Sequence, residues 1–273
     1  MGMEPVSLPP RAQPSLKPPS FGAFRTIMAL ILREMESTYG RSPGGYLWAI
    51  VQPVGMILLL SLAFSLLVKA PSLGTSFIFF YATGYLPFDF YSAMQGKITA
   101  ALRYSRPLLA YPSVTWMDAI LARFILNFLT STTLFFIVMT AIILVVDTRA
   151  VIDVFPIIVA ILMTASLGLG IGLMNCLLSG LWPVWAIIWG ILSRPLFLAS
   201  GVLFLYEDMP REVQDILWWN PLMHVTGLLR TGFFPTYNAS YVSLSYGFGW
   251  ALILIALGFI FLRANYKRVL EQR

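Results

Sequence analysis

The sequence predicts an all-α polytopic membrane protein: six transmembrane helices, an N-terminal amphipathic interfacial helix, short re-entrant helices before the last span, and both termini cytoplasmic. Three observations carry this. First, 58% of the 273 residues are hydrophobic and only 11% are charged, whereas soluble domains carry roughly 25% charged residues. So little charge cannot cover a surface exposed to water, and lipid must solvate much of the chain. Second, the uncharged stretches recur at about the 20 residues a helix needs to cross a hydrocarbon core. Third, Lys and Arg collect in alternate connections, the bias that sets membrane topology.

Residues 1–20 hold Pro5, Pro9, Pro10, Pro14, Pro18 and Pro19. They read as a disordered, partly polyproline arm rather than the apolar core of a signal peptide. Residues 23–40 follow as an amphipathic helix, with Phe24, Met28, Ile31, Met35 and Tyr39 at helical spacing and Arg25, Arg33 and Glu36 off that stripe. Such a helix suits the membrane surface. Span one, about residues 47–68, fills the uncharged interval between Arg41 and Lys69. Span two, about 75–91, ends in the aromatic cluster Tyr81, Tyr85, Phe88, Phe90 and Tyr91 beside Asp89. Span three, about 124–146, lies between Arg123 and Asp147.

The uncharged run from Asp153 to Arg194 is too long for one crossing. The break at Ser179-Gly180-Leu181-Trp182-Pro183 divides it into span four, about 154–178, and span five, about 182–206. Residues 210–234 form the re-entrant region. Pro210 to Trp219 carries a Pro start and early acids, Asn220-Pro221 punctuates, and Leu222 to Phe234 is a second short amphipathic piece. Span six is about 246–262.

With the N-terminus inside, the inner segments hold Arg11, Lys17, Arg25, Arg33 and Arg41, then Lys97, Arg103, Arg106 and Arg123, then Arg263, Lys267, Arg268 and Arg273. The outer pieces hold only Lys69, Arg149, Arg194, Arg211 and Arg230. The net charge of +6 is thus a topology signal rather than a nucleic-acid signal.

Catalytic chemistry is sparse. The only Gly-Lys pair, Gly96-Lys97, is followed by Ile98 and has Tyr91 where a phosphate-binding loop needs its first glycine. The single histidine, His224, excludes a paired-histidine zinc motif and reads as a structural hydrogen-bonder. Gly168, Gly170 and Gly172 lie inside an apolar helix, where small residues allow close helix contact. Cys176 is alone, so it forms no intrachain disulfide. Arg194 interrupts an apolar run, at a cost of about 2.5–3.5 kcal/mol on the insertion scale. It calls for water or a carboxylate, with Asp89, Glu207 and Asp208 as candidates and Pro195 placed to break the helix.

Several segments together resemble one family. They are Leu32-Arg33-Glu34, Tyr39-Gly40-Arg41-Ser42, Gly45-Tyr46-Leu47-Trp48-Ala49 through Gln52-Pro53, Ser200-Gly201, Pro210, Asn220-Pro221-Leu222, His224, Arg230 and Phe233-Phe234. In this order the chain resembles permease subunits of ABC-2 type transporters, specifically those exporting capsular polysaccharide. The resemblance implies a homodimer in the bacterial inner membrane, paired with a separate ATPase subunit that carries ATP and Mg, with no cofactor in this chain. It implies an ATPase interface including Arg33, Glu34, Arg41, Lys97, Arg103 and Arg106. The substrate would be a lipid-linked polysaccharide, with periplasmic and outer-membrane export components as further partners and no nucleic acid.

Sugar rings present C–H faces to aromatics. The substrate path is therefore expected among Tyr81, Tyr85, Tyr91, Trp116 and Trp185, with Phe88, Trp182 and Trp189 nearby. Arg194, with Asp89 as a candidate partner, is expected to face a polar pathway, and the resemblance implies an outer gate formed by the re-entrant pair, with Asn220, His224 and Arg230. Membrane-interface anchoring is the competing role for the same tryptophans and tyrosines. Rival readings are an ABC-2 permease for another cargo (O-antigen, teichoic acid or a drug), a membrane-embedded glycosyltransferase, and a passive scaffold. The glycosyltransferase needs acidic metal ligands, and the loop from Gly96 to Asp118 offers only Asp118.

Overall fold

The computed structural model describes residues 22–39, 45–109, 114–146, 148 and 151–271. The arm expected over 1–20 and Arg41 lie outside the described residues. The helices are α1 (Gly22–Tyr39), α2 (Gly45–Ser65), α3 (Phe77–Thr99), α4 (Ala101–Ser105), α5 (Trp116–Val145), α6 (Val154–Leu181), α7 (Val184–Ala199), α8 (Arg211–Leu217), α9 (Pro221–Thr231) and α10 (Leu244–Glu271), with a short 3-10 turn at Tyr206–Asp208. No strand occurs among the described residues. Among the described residues, four helices are long and apolar enough to cross a membrane: Leu47–Ser65, Trp116–Val145, Val154–Leu181 and Leu244–Glu271. Helix α7 is apolar but shorter, and α3 carries Asp89 and Lys97 within its length.

Local chemistry sets the helix starts. Thr115 and Asp118 form a capping box: Asp118 Oδ2 accepts from Thr115 N–H at 2.9 Å, and Thr115 Oγ1 accepts from Asp118 N–H at 3.2 Å. Two orphan donors are satisfied at once, so α5 begins at Trp116 rather than at 124. Asp118 is thereby occupied as a cap. Asp153 accepts from Phe155 N–H at 3.1 Å and starts α6, and Asn220 caps α9 with Pro221 at its first position. The expected break between spans four and five falls at Trp182-Pro183, after α6 has run on to Leu181.

Span five differs from expectation. Pro195 does not break α7, which continues to Ala199; a proline removes only one intrahelical bond, a loss that membrane helices tolerate. The chain instead turns at Gly201, whose φ of +71° is readily open only to glycine. Helix α3 continues past Asp89 to Thr99, and α10 runs on to Glu271, because its last turns keep an apolar side (Tyr266, Val269, Leu270) against the bundle.

The centre of the bundle is α6 between α3 and α10, and the glycines explain why these helices meet. A Cβ on Gly168 would stand 2.8 Å from Met94, and one on Gly172 would stand 2.7 Å from Ile98. Close backbone approach is available only where no side chain intervenes. The pairs advance together (168 with 94, 172 with 98), so α3 and α6 run parallel. Met163 with Gly247, Leu173 with Gly258 and Gly180 with Val269 place α10 parallel to α6 as well.

Helix α9 packs into this bundle rather than over it. Leu222 and Val225 join Tyr91, Met163, Leu167 and Ala251 in one buried cluster. At 1.5 Å per residue, Met163 and Leu167 lie roughly 14 and 20 Å along α6 from its first residue. The other end of α9 is tied to that first residue's neighbour, since Asp153 N–H donates to Gly232 O at 2.9 Å.

Candidate functional site

Two polar constellations interrupt this apolar framework, one at each end of α6. At the end where α3, α6 and α10 finish, Arg123 on α5 is 4% exposed and Glu34 on α1 is 5% exposed. Arg123 Nε donates to Glu34 Oε2 at 3.1 Å, and Nη1 donates to Lys97 O, near the end of α3, at 2.8 Å. The guanidinium also lies 4.1 Å from the centroid of the Tyr104 ring on α4, while exposed Arg33 stands 5.5 Å from the same ring. Desolvating two charges is expensive unless each finds its partner with good geometry. Here one guanidinium joins α1, α3, α4 and α5, so a displacement of the amphipathic helix is felt by all of them.

The structure therefore brings Arg33, Glu34 and the Lys97 backbone together around Arg123, whereas Arg103 and Arg106 stand exposed nearby. Glu34 faces inward. Sequence reasoning treated Arg123 only as the edge of a span. The usable signal was a lone Arg two turns into a helix that a Thr-x-x-Asp box starts early.

At the opposite end, α9 takes up the carbonyls that α7 and its exit leave free. Asn220 Nδ2 donates to Ala199 O at 2.9 Å, and Thr226 Oγ1 donates to Ser200 O at 2.8 Å. Arg230 Nη1 donates to Phe204 O at 3.1 Å, and Nη2 reaches Val202 O at 3.5 Å. Helix ends present unsatisfied carbonyls and a partial negative charge, so a cation there is well placed. Arg230 is 1% exposed and sits 4.4 Å over the Phe80 ring. Burial lowers its pKa to about 10, so it stays charged at neutral pH. Gly84 makes room, since a Cβ there would lie 3.1 Å from the Arg230 guanidinium and 2.8 Å from Val202 O.

His224 locks the same region. Its Nδ1 accepts from Ser243 N–H at 3.2 Å, so Nε2 carries the proton and donates to Trp218 O at 2.8 Å. Burial lowers its pKa, which favours this neutral form. Tyr246 OH donates to Trp219 O at 2.7 Å, tying α10 to the same turn.

Other candidate residues are dispersed. Tyr81, Tyr85 and Tyr91 are buried within the chain. Trp116 stacks on Tyr266, joining α5 to α10, and Trp185 donates to Asn175 Oδ1 at 2.8 Å. Arg194 is exposed on α7 and has no ion pair among the described residues. Two of its three expected partners are engaged elsewhere: Asp89 accepts from Tyr85 OH at 3.3 Å, and Glu207 accepts from Tyr237 OH at 3.0 Å.

The profile of the family described as ABC-2 type transporter matches residues 25–234, from α1 to just beyond α9. The chain belongs to the ABC-2 type transporter family. The match contains both constellations of this ABC-2 protein, Glu34 with Arg123 and Arg230 with the α7 exit. Similar proteins include the polysialic acid transport protein KpsM of Escherichia coli, 27% identical over 245 residues that cover 90% of this chain and 95% of KpsM. The capsule polysaccharide export inner-membrane protein BexB of Haemophilus influenzae is 28% identical over 249 residues, covering 90% of this chain and 93% of BexB. CtrC of Neisseria meningitidis serogroup B, described in the same words, is 27% identical over 234 residues, covering 86% of this chain and 88% of CtrC.

Proposed function

We propose that this chain is the membrane-spanning subunit of an ATP-driven exporter that carries capsular or related surface polysaccharide out of the cytoplasm across the inner membrane. The observation that carries the reading is the similarity, over 86–90% of this chain, to KpsM, BexB and CtrC, which are themselves named for polysaccharide transport or export. In this reading the protein works as a homodimer, and a separate ATPase subunit binds and hydrolyses ATP.

Six spans with both termini cytoplasmic fit the architecture. Helix α3 runs parallel to α6 and α10 at their side, and α7 supplies the remaining crossing between α6 and the turn at Gly201. The depth of Leu222 and Val225 beside Leu167 supports α8 and α9 as a re-entrant pair at the outer face. The Arg123 constellation then lies at the cytoplasmic face, beside exposed Arg33, Arg103 and Arg106, where the ATPase docks. The Arg230 constellation belongs to the outer gate.

The test is deletion of the gene followed by complementation. Loss of surface polysaccharide with polymer accumulating in the cytoplasm, restored by the intact gene only when an ATPase subunit is co-expressed, is the expected result. Unchanged surface polysaccharide with retention of a different cargo would assign another ABC-2 substrate. Loss of polymer synthesis itself would favour a glycosyltransferase. Thiol labelling of cysteines placed at 103 and at 238, from each side of the membrane, checks the orientation.

A further inference from the structure

Beside the Arg123 constellation a cleft opens between α3, α4, α6, α7 and the end of α10. It consists of two cavities of about 190 and 200 Å³ that share Thr99, Arg103, Ser179 and Ala186 in their walls. Together they fall at the lower end of the range of small-molecule sites, about 300–1,000 Å³.

Its chemistry is selective. Trp185 Nε1 donates to Asn175 Oδ1 at 2.8 Å, and Asn175 Nδ2 donates to Gln95 Oε1 at 3.1 Å. The relay consumes the Gln95 acceptor and leaves the Gln95 amide N–H groups without a protein partner among the described residues. Trp189 lines the same wall, so an aromatic surface stands beside the free donors. Arg103 lines both cavities and Arg106 one of them; neither has an ion pair among the described residues, and no Asp or Glu lines either cavity.

A wall of aromatic rings, unspent amide donors and two uncompensated guanidinium groups fits one chemical class: a sugar ring bearing an adjacent anion. Sugar C–H faces lie on indoles, hydroxyls accept from the amide, and a phosphate or carboxylate takes the arginine fork. The geometry points to this cleft as the docking site for the anionic sugar headgroup of a lipid-linked glycan before translocation. The inference rests on the exporter reading above and adds the place and the charge of the group first held.

The test uses the full-length protein with its ATPase in phosphatidylcholine nanodiscs and three probes: dodecyl phosphoryl glucose, dodecyl glucoside and dodecyl phosphate. The first should bind at least tenfold more tightly than either of the others. Gln95→Leu and the exposed substitution Arg103→Gln should each weaken it tenfold or more, with unfolding midpoints unchanged in both and ATPase subunit binding unchanged in Gln95→Leu. Equal affinity for dodecyl phosphate would make this an anionic-lipid site and overturn the inference. So would wild-type binding by Arg103→Gln, even if Gln95→Leu misfolds. Binding does not depend on export, so the two readings fail separately. Selective binding without complementation of the deletion strain would sink only the exporter reading, and normal complementation with unselective binding would sink only the cleft.

Discussion

Arg123 Nε and Glu34 Oε2 meet at 3.1 Å across 89 positions of sequence, both side chains buried. A helix that composition marks as a surface anchor is thus held to the bundle by a buried charge pair, while Phe24, Met28 and Met35 of its apolar stripe stay exposed. The pair gives α1 a fixed angle rather than a floating one.

Removing one member should therefore be costly. Arg123→Ala or Glu34→Ala strands a buried charge, with an expected loss of about 3–5 kcal/mol. The double replacement Glu34→Leu with Arg123→Met should recover much of that stability while leaving ATPase activity uncoupled from transport. Thermal unfolding in detergent and transport-dependent ATP hydrolysis check the two halves. A double variant with wild-type coupling would reduce the pair to a packing element.

Arg230→Met should lower stability by about 1–3 kcal/mol, because it leaves the Phe204 and Val202 carbonyls unpaired in a buried setting. Arg230→Lys should rescue only partly, since a single ammonium lacks the planar fork that addresses both oxygens. Unfolding midpoints and surface polysaccharide should fall in the order wild type, Lys, Met.

His224 imposes a pH dependence. Its folded-state pKa lies below the ordinary 6.5 because burial disfavours the imidazolium. Below that value the unfolded chain binds a proton that the folded chain refuses, so folding stability is full above about pH 6.5 and declines as pH falls. Unfolding midpoints taken from about pH 8 down to about pH 5.5 should drop in the wild type, and the His224 contribution to that drop should vanish in His224→Gln.

Gly172→Val should destabilise the bundle by about 1–3 kcal/mol, since even a Cβ there stands 2.7 Å from Ile98. Gly55→Ala on α2 is the matched control: nothing lies within 4 Å of its added Cβ, and alanine is the better helix former. Equal behaviour of the two variants would show that α3 and α6 do not depend on that close approach.

Arg194→Gln should unfold within about 0.5 kcal/mol of wild type, as an exposed substitution without a partner. Any export defect it causes would then report contact with cargo or with a second copy rather than folding.

By itself the sequence determined the helical class, the positions of most apolar stretches and the glycine contacts within α6, because these follow from hydropathy, length and side-chain size along one segment. It also marked Asn220, His224 and Arg230 as notable without saying what they hold. The tertiary structure decided that Arg230 and Thr226 serve the carbonyls of the α7 exit, that Glu34 turns inward to Arg123, and that Pro195 leaves α7 intact. It also decided that Arg194 stands apart from Asp89 and Glu207. For Arg230, Thr226 and Glu34 the physical reason is the same: a buried polar group takes its role from its partner, and these partners lie tens of residues away, brought near only when the helices pack.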